Sequence, residues 1–145
     1  MKKLLVSAAI ALCLVGCNKK SDADAATTTA QAGKSITETP LPEVRKLVET
    51  KSATVLDAND NDTRKEYGIV PGAKLLTSSD GYALSELPSD KDSKLVFYCG
   101  GMKCRASDHA AKRAQEAGYK QVSVMREGIR GWKEAGAPTE PLPQS

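Results

Sequence analysis

The sequence of 145 residues has little of several residue types on which common functions depend. A single histidine means that the chain alone cannot build a multi-histidine metal site, and we expect no metal and no cofactor. One tryptophan, one phenylalanine and four tyrosines make a base-stacking surface improbable, and 21 basic against 18 acidic residues give little net charge. Both features argue against nucleic-acid binding. The 27% of charged and 40% of hydrophobic residues are typical of a globular protein.

The first 17 residues have the layout of a bacterial export signal. Lys2 and Lys3 precede a mostly apolar run over 4–15, which is shorter than the roughly 20 residues of a membrane span and matches the core of a signal peptide. The run ends in Leu-Val-Gly-Cys at 14–17, which resembles the lipobox of bacterial lipoproteins, where the cysteine carries the lipid. An ordinary signal peptide with an incidental cysteine is the alternative. We therefore expect residues 1–17 to be a lipoprotein signal that ends at Cys17.

Export determines which cysteines remain for chemistry. Asn18 resembles the sorting residue of outer-membrane lipoproteins, so we expect a protein anchored to the bacterial membrane by a fatty acid such as palmitate and facing the periplasm. Disulfides persist in that compartment. Because Cys13 would leave with the signal and Cys17 would carry the lipid, thiol chemistry depends on Cys99 and Cys104.

Composition divides the rest of the chain into a linker, a domain and a tail. Residues 18–38 are small and polar, and such a segment cannot bury enough apolar surface to offset its conformational entropy. We expect a flexible tether there and one compact domain over 39–140. The segment after Gly136 contains three prolines and predicts an extended end, of which residues 141–145 form the tail.

Strand and helix patterns alternate over the domain, which predicts an α/β fold with a mainly parallel sheet. Short apolar runs predict strands, whereas helical spacing, alanine content and capping residues predict the helices between them. The predicted strands are 53–57, 73–76, 94–98 and 121–125. The predicted helices or helical turns are 42–50, 59–65, 85–87, 106–117 and 129–135.

The segment after the third predicted strand is the candidate site, because function in parallel sheets concentrates where loops leave the carboxyl ends of strands. Here Cys99, Gly100 and Gly101 lead toward the alanine-rich helix. The positive helix end, backbone N–H groups turned inward by the glycines, and the cations Lys103 and Arg105 would lower the pKa of the Cys99 thiol. Such a loop suits nucleophilic attack on a sulfur or an anionic ester. An inert buried cysteine is the alternative.

Several motifs in one order resemble a single rhodanese domain, the fold of the thiosulfate sulfurtransferases. The matching segments are Val-Leu-Asp-Ala-Asn at 55–59, Gly-Ile-Val-Pro-Gly-Ala at 68–73, Val-Phe-Tyr-Cys at 96–99, Gly-Ile-Arg-Gly-Trp at 128–132 and Ala-Gly-Ala-Pro at 135–138. The resemblance covers about residues 40–140. It implies a central parallel five-stranded sheet flanked by helices, with a persulfide formed on Cys99.

The chain departs from the pattern of this family near the expected site. Asn59 and Ile69 stand where the family commonly has arginine and histidine. Family members commonly close the loop with an arginine five positions after the cysteine, where this chain has Cys104 followed by Arg105. The spacing from Cys99 to Arg105 resembles the longer loop of dual-specificity phosphatases and arsenate reductases. The Cys-x4-Cys spacing instead resembles a group of exported rhodanese-like proteins, in which Arg105 would simply start the helix.

These patterns assign candidate roles to individual residues. Cys99 is the expected nucleophile, and Cys104 is either a second redox thiol or a residue that fills the place of the missing arginine. Asp57, at the end of a predicted strand, would support the loop, or is an ordinary turn carboxylate. The expected substrate-binding residues are Gly100, Gly101, Met102, Lys103 and Arg105.

Three functions remain open, and the resemblance favours the first. A sulfurtransferase would move sulfane sulfur from thiosulfate or a related donor through a persulfide on Cys99 to a thiol acceptor or cyanide. A redox or sulfur-relay protein would use Cys104 to attack the modified Cys99 and close a disulfide. A non-catalytic domain would bind an anion, a soft metal or a partner. For the preferred function we expect a monomer that acts on a small sulfur-containing or oxyanion substrate.

Replacing the lipobox cysteine tests the predicted anchor. Cys17→Ser should abolish lipid attachment and leave the protein unprocessed or soluble, because the thiol carries the lipid. Metabolic labelling with a fatty-acid analogue measures attachment, and Cys13→Ser is the matched control, since Cys13 would leave with the signal. Unchanged labelling of the Cys17→Ser protein would contradict the prediction.

Overall fold

A five-stranded parallel sheet forms the centre of residues 35–144, the part of the chain that the computed structural model describes. The predicted signal with Cys17, and the predicted tether up to residue 34, lie outside this range. The strands run in the order β1-β5-β4-β2-β3, and each neighbouring pair is parallel. They are β1 (Thr37–Glu38), β2 (Thr54–Asp57), β3 (Lys74–Leu75), β4 (Lys94–Tyr98) and β5 (Gln121–Met125). The predicted α/β class and parallel five-stranded sheet are confirmed.

Helices connect the strands and cover the sheet. They are α1 (Leu41–Glu49), α2 (Asn61–Tyr67), α3 (Ala106–Glu116) and α4 (Gly128–Glu134), with a single 3-10 turn at Leu84–Glu86. Each lies within about two residues of its predicted limits. Asp60 caps the start of α2, and a glycine closely follows the end of α2, α3 and α4. None of the helices in the described range has the length and apolar character of a membrane span.

The central strand β4 separates two hydrophobic clusters because side chains alternate between the two faces of a strand. Leu95 and Phe97 belong to the cluster that includes three buried alanines of α3. Val96 and Tyr98 belong to the other cluster, which contains apolar side chains of α1 and α4. All four side chains are fully buried. The residue that follows β4, Cys99, therefore leaves the sheet directly from its buried central strand.

The sheet contains one strand more than the apolar runs of the sequence predict. Thr37 and Glu38, which composition places in the polar tether, form β1 and pair with Ser123 and Val124 of β5. Both β1 residues are exposed, so the strand depends on backbone pairing, and the neighbouring Thr39 hydroxyl adds a 2.7 Å hydrogen bond to the Ser123 hydroxyl. Apolar patterning gives no signal for such a strand, and the predicted tether therefore extends two residues too far.

The proline-containing end of the chain is extended, as predicted, and is held against the domain. Ile69 and Glu140 form an antiparallel bridge with N–H···O distances of 2.8 and 2.9 Å. The indole Nε1 of the buried Trp132 donates to the Pro138 carbonyl oxygen at 2.7 Å. The bridge joins the end of the domain to the turn before β3, and the indole hydrogen bond joins it to α4.

Candidate active site

The carboxyl end of β4 leads through a short loop to α3, and this loop contains both candidate cysteines. Cys99 is buried, with 2% exposure, whereas Cys104 is partly exposed. The two residues form a disulfide with a Cα–Cα distance of 6.3 Å, which lies in the range that disulfides adopt. The structure thus brings together the two thiols that the sequence singles out.

A cleft of about 510 Å³ opens beside the disulfide. Its walls come from the turn after β2, the cysteine loop, the first residue of α3 and one side of α4. Cys104 lines the cleft, as do four of the five predicted substrate-binding residues: Gly100, Gly101, Met102 and Lys103. These residues are therefore in position to contact a molecule in the cleft.

Arg105, the fifth predicted substrate-binding residue, is turned away from the cleft. It forms the N-cap of α3, its side chain is 72% exposed, and its Nε lies 3.0 Å from Asp108 Oδ2. The same carboxylate oxygen accepts a 2.6 Å hydrogen bond from Arg126 Nη1. The expected binding role of Arg105 has no support in this geometry, whereas its position agrees with the alternative that it starts the helix.

Arg130 supplies a cation that was not predicted as a site residue. It belongs to α4, lines the cleft beside Lys103, and has its guanidinium carbon 5.0 Å from the centre of the Tyr67 ring. Its backbone N–H donates to the Gly100 carbonyl oxygen at 3.3 Å. The sequence contains the signal for it, because Arg130 lies within the Gly-Ile-Arg-Gly-Trp motif that carries part of the family resemblance.

The cleft also contains negative charge. Its acidic residues are Asp60, Glu127 and Glu134. The pKa of Asp60 is held below its usual value, chiefly because the Thr63 backbone N–H donates to the carboxylate at 2.7 Å. Asp60 is therefore ionised at neutral pH. Within residues 35–144, no group of three His, Cys, Asp or Glu side chains is placed to hold a metal ion.

Ser107 lies beside the Cys99 sulfur and, like Arg130, was not predicted as a site residue. It lies in the first turn of α3, is 2% exposed, and has its Oγ 3.3 Å from Cys99 Sγ. A hydroxyl at this distance can donate to the sulfur, and such a hydrogen bond favours a thiolate over a thiol. Its residue type is visible in the sequence, but its approach to Cys99 depends on how α3 packs.

Asn59, where the resemblance expects arginine, contributes an amide to the cleft. It is only 9% exposed, and its Nδ2 has no hydrogen-bond partner among residues 35–144. Leaving a buried polar group unpaired costs about 1–3 kcal/mol. A ligand with an acceptor atom near Nδ2 would relieve that cost, so Asn59 is a candidate donor to a bound molecule.

Asp57 connects the turn after β2 to Tyr98, the last residue of β4. Its carboxylate accepts from the Asn59 backbone N–H at 2.7 Å, from Arg64 Nε at 3.3 Å and from the Tyr98 hydroxyl at 2.5 Å. Burial and, after it, the Asp57 charge raise the pKa of Tyr98, which keeps its hydroxyl protonated and donating. Asp57 is fully buried and reaches the loop only through these neighbours, so its supporting role stays a prediction.

The backbone of the cysteine loop is fixed to the start of α4. Ile129 N–H donates to the Cys99 carbonyl oxygen at 2.9 Å. This approach requires glycine at position 128, because a Cβ there would lie 2.3 Å from the Cys99 oxygen and 2.5 Å from the Gly101 nitrogen. Gly128 also has a φ of +62°, in the left-handed region.

Adding a methyl group at this contact tests its importance. Gly128→Ala should destabilise the domain, because the new Cβ would overlap the cysteine loop. Gly136→Ala is the matched control, since Gly136 has a similar φ of +67° and open space around its added Cβ. The control should lose only the roughly 1–2 kcal/mol of the left-handed conformation, and Gly128→Ala should lose more. Denaturant unfolding measures both losses, and equal values would contradict the prediction.

Comparisons with known proteins agree with this architecture. The Rhodanese-like domain model matches residues 41–135. The protein YibN of Escherichia coli strain K12 is 30% identical over 92 residues, and the match spans 62% of this chain and 62% of the length of that relative. Bacillus halodurans BH2092 has a TM-score of 0.64 with 19% identity, over 72% of this chain and 77% of its own. The polysulfide-sulfur transferase homodimer of Wolinella succinogenes has a TM-score of 0.59 with 23% identity, over 74% and 80%.

The two structural likenesses show the fold, and the family model covers the whole region from α1 to α4. The chain therefore belongs to the rhodanese-like domain family.

Proposed function

We propose that this rhodanese-like protein is a sulfurtransferase that carries sulfane sulfur on Cys99 and closes the Cys99–Cys104 disulfide when Cys104 takes the place of an external acceptor. The observation that carries the proposal is the bonded pair itself, placed at the end of the central strand and beside the cleft. Family membership supports it, and one protein of similar fold is named a polysulfide-sulfur transferase.

In the first step the Cys99 thiolate attacks the outer sulfur of a donor such as thiosulfate. A Cys99 persulfide forms, the sulfur–sulfur bond of thiosulfate breaks, and its electron pair leaves with sulfite. The amino end of α3 and the Ser107 hydroxyl, 3.3 Å from Cys99 Sγ, favour the thiolate. Lys103 and Arg130 supply positive charge in the cleft for an anionic donor.

The persulfide then has two possible fates. An external thiolate that attacks the outer sulfur takes it away as a new persulfide and restores Cys99. If the Cys104 thiolate attacks the Cys99 sulfur, hydrosulfide leaves and the disulfide closes. The 6.3 Å Cα–Cα distance supports the second route, because a thiol held this close has a high effective concentration.

The proposed setting is the periplasmic face of the membrane, with the domain anchored through Cys17, which lies outside the described residues. The Cys99–Cys104 disulfide supports this setting, since disulfides persist in oxidising compartments and are rare where thiols are kept reduced. Dithiol–disulfide exchange without sulfur transfer is the second candidate function, and the same disulfide favours it. A persulfide after thiosulfate treatment separates the two.

Single substitutions of the two cysteines test their different roles. Cys99→Ser should abolish sulfur transfer from thiosulfate. It should also lower the free energy of unfolding, because it removes the disulfide and places a hydroxyl in the hydrophobic cluster. Without an external thiol acceptor, Cys104→Ser should accumulate a Cys99 persulfide because no second thiol resolves it, whereas the parent should release hydrosulfide and close the disulfide. Single-turnover mass spectrometry detects the persulfide as a gain of about 32 Da.

The same experiment gives the contradicting outcomes. Transfer by the Cys99→Ser protein would refute Cys99 as nucleophile. Equal persulfide lifetimes in the parent and in Cys104→Ser would refute the resolving role of Cys104. A parent protein that transfers no sulfur from any sulfane donor would refute the sulfurtransferase and favour redox exchange or binding.

Arg130 is expected to bind an anionic donor. Arg130→Gln should raise the KM for thiosulfate by about threefold to tenfold with a smaller change in kcat, because one charge-assisted contact contributes on the order of 1 kcal/mol. Lys133→Gln is the matched control, since Lys133 also lies on α4 near the Tyr67 ring, at 5.8 Å, but does not line the cleft. Steady-state kinetics measure both variants, and equal KM changes would contradict a specific role for Arg130.

A further inference from the structure

The two sulfur atoms of the disulfide differ in their access from the cleft. Cys99 is 2% exposed and belongs to the hydrophobic cluster of Phe97 and the α3 alanines. Cys104 only packs against the edge of that cluster, is partly exposed, and lines the cleft of about 510 Å³. In thiol–disulfide exchange the thiolate must reach one of the two sulfurs, so access decides which of them is attacked.

From this difference we infer that a reductant opens the disulfide by attacking Cys104 Sγ from the cleft. Cys104 then carries the mixed disulfide, and Cys99 leaves as the thiolate. The inference rests on the proposed function, in which the disulfide is the product that must be reduced before Cys99 can accept sulfur again. The reaction that consumes this product is therefore exchange with a dithiol.

The surroundings of Cys99 suit a leaving thiolate. The Ser107 hydroxyl lies 3.3 Å from Cys99 Sγ, and Ser107 itself is 2% exposed in the first turn of α3. A hydrogen bond from a buried hydroxyl and the positive end of an 11-residue helix both stabilise negative charge on the sulfur. The sulfur whose thiolate is better stabilised leaves faster in exchange, which favours Cys99, the sulfur beside Ser107, as the leaving group and Cys104 as the attacked atom.

The exchange balances in atoms and electrons. The first thiolate of the dithiol forms a bond to Cys104 Sγ while the Cys99–Cys104 bond breaks, and the electron pair of that bond goes to Cys99. The second thiolate of the reductant then attacks the reductant sulfur that is bonded to Cys104 Sγ. Cys104 leaves as a thiolate, and the reductant departs as an internal disulfide, so two electrons pass from the dithiol to the cysteine pair.

A monothiol probe tests which sulfur is attacked, because it has no second thiol to complete the exchange. Oxidised full-length protein is mixed with 2-mercaptoethanol and quenched after short times with excess N-ethylmaleimide. Cleavage after Lys103 separates the two cysteines, so peptide mass spectrometry locates each label. We expect mercaptoethanol on Cys104 and maleimide on Cys99, with at least about a tenfold preference. Mercaptoethanol mainly on Cys99, equal labelling, or a disulfide that the probe cannot open would overturn the inference.

Two variants test the same access without depending on the lifetime of the mixed disulfide. In Cys99→Ser no internal thiol can expel an adduct, so hydroxyethyl disulfide should modify Cys104 stably. In Cys104→Ser the remaining thiol is the one buried beside Ser107. At a pH of about 10 both thiols are ionised and only access differs, so this thiol should react at least about tenfold more slowly with the bulky probe. Equal rates in the two variants would overturn the inference.

These outcomes are distinct from those that decide sulfur transfer. A protein that is labelled on Cys104 but forms no persulfide with thiosulfate would overturn the proposed function and support this inference. A protein that forms the persulfide on Cys99 but receives mercaptoethanol on Cys99 would overturn this inference alone.

Discussion

The hydrogen bond from Ile129 N–H to the Cys99 carbonyl oxygen is the contact on which the site depends. It fixes the end of the central strand to the start of α4, and Gly128 makes the 2.9 Å approach possible. With its carbonyl engaged by α4, Cys99 presents its sulfur to Ser107 of α3. This backbone contact thus helps to set two arrangements: α3 faces the Cys99 sulfur, and α4 lines the cleft.

The parts of this molecule that could be predicted are those whose cause is local in the sequence. The strands β4 and β5 begin and end as predicted. Each apolar run follows a polar residue, and Gly100 closely follows β4 while Arg126 directly follows β5. The position of both cysteines in one loop follows from the predicted order of strand, loop and helix. Strand β1 has no apolar signal, and Ser107 and Arg130 come to the site only through the packing of α3 and α4. Contacts that depend on how helices pack leave no periodic pattern in the sequence from which they could be predicted.

The position of Arg105 bears on the choice among functions. A loop that stabilises a tetrahedral oxyanion needs its guanidinium turned inward, and the spacing from Cys99 to Arg105 resembles such a loop. In the structure Arg105 is paired with Asp108 and does not line the cleft, whereas Arg130 enters from a different helix. The phosphatase-like alternative thereby loses the residue that suggested it.

Burial also orders the steps of the proposed cycle. While the disulfide is closed, Cys99 is 2% exposed and its sulfur is not a thiolate, so it cannot attack a sulfur donor. In the proposed exchange the reductant attacks Cys104, which lines the cleft. Reduction must therefore precede sulfur uptake, and the same cleft serves both reactants in turn.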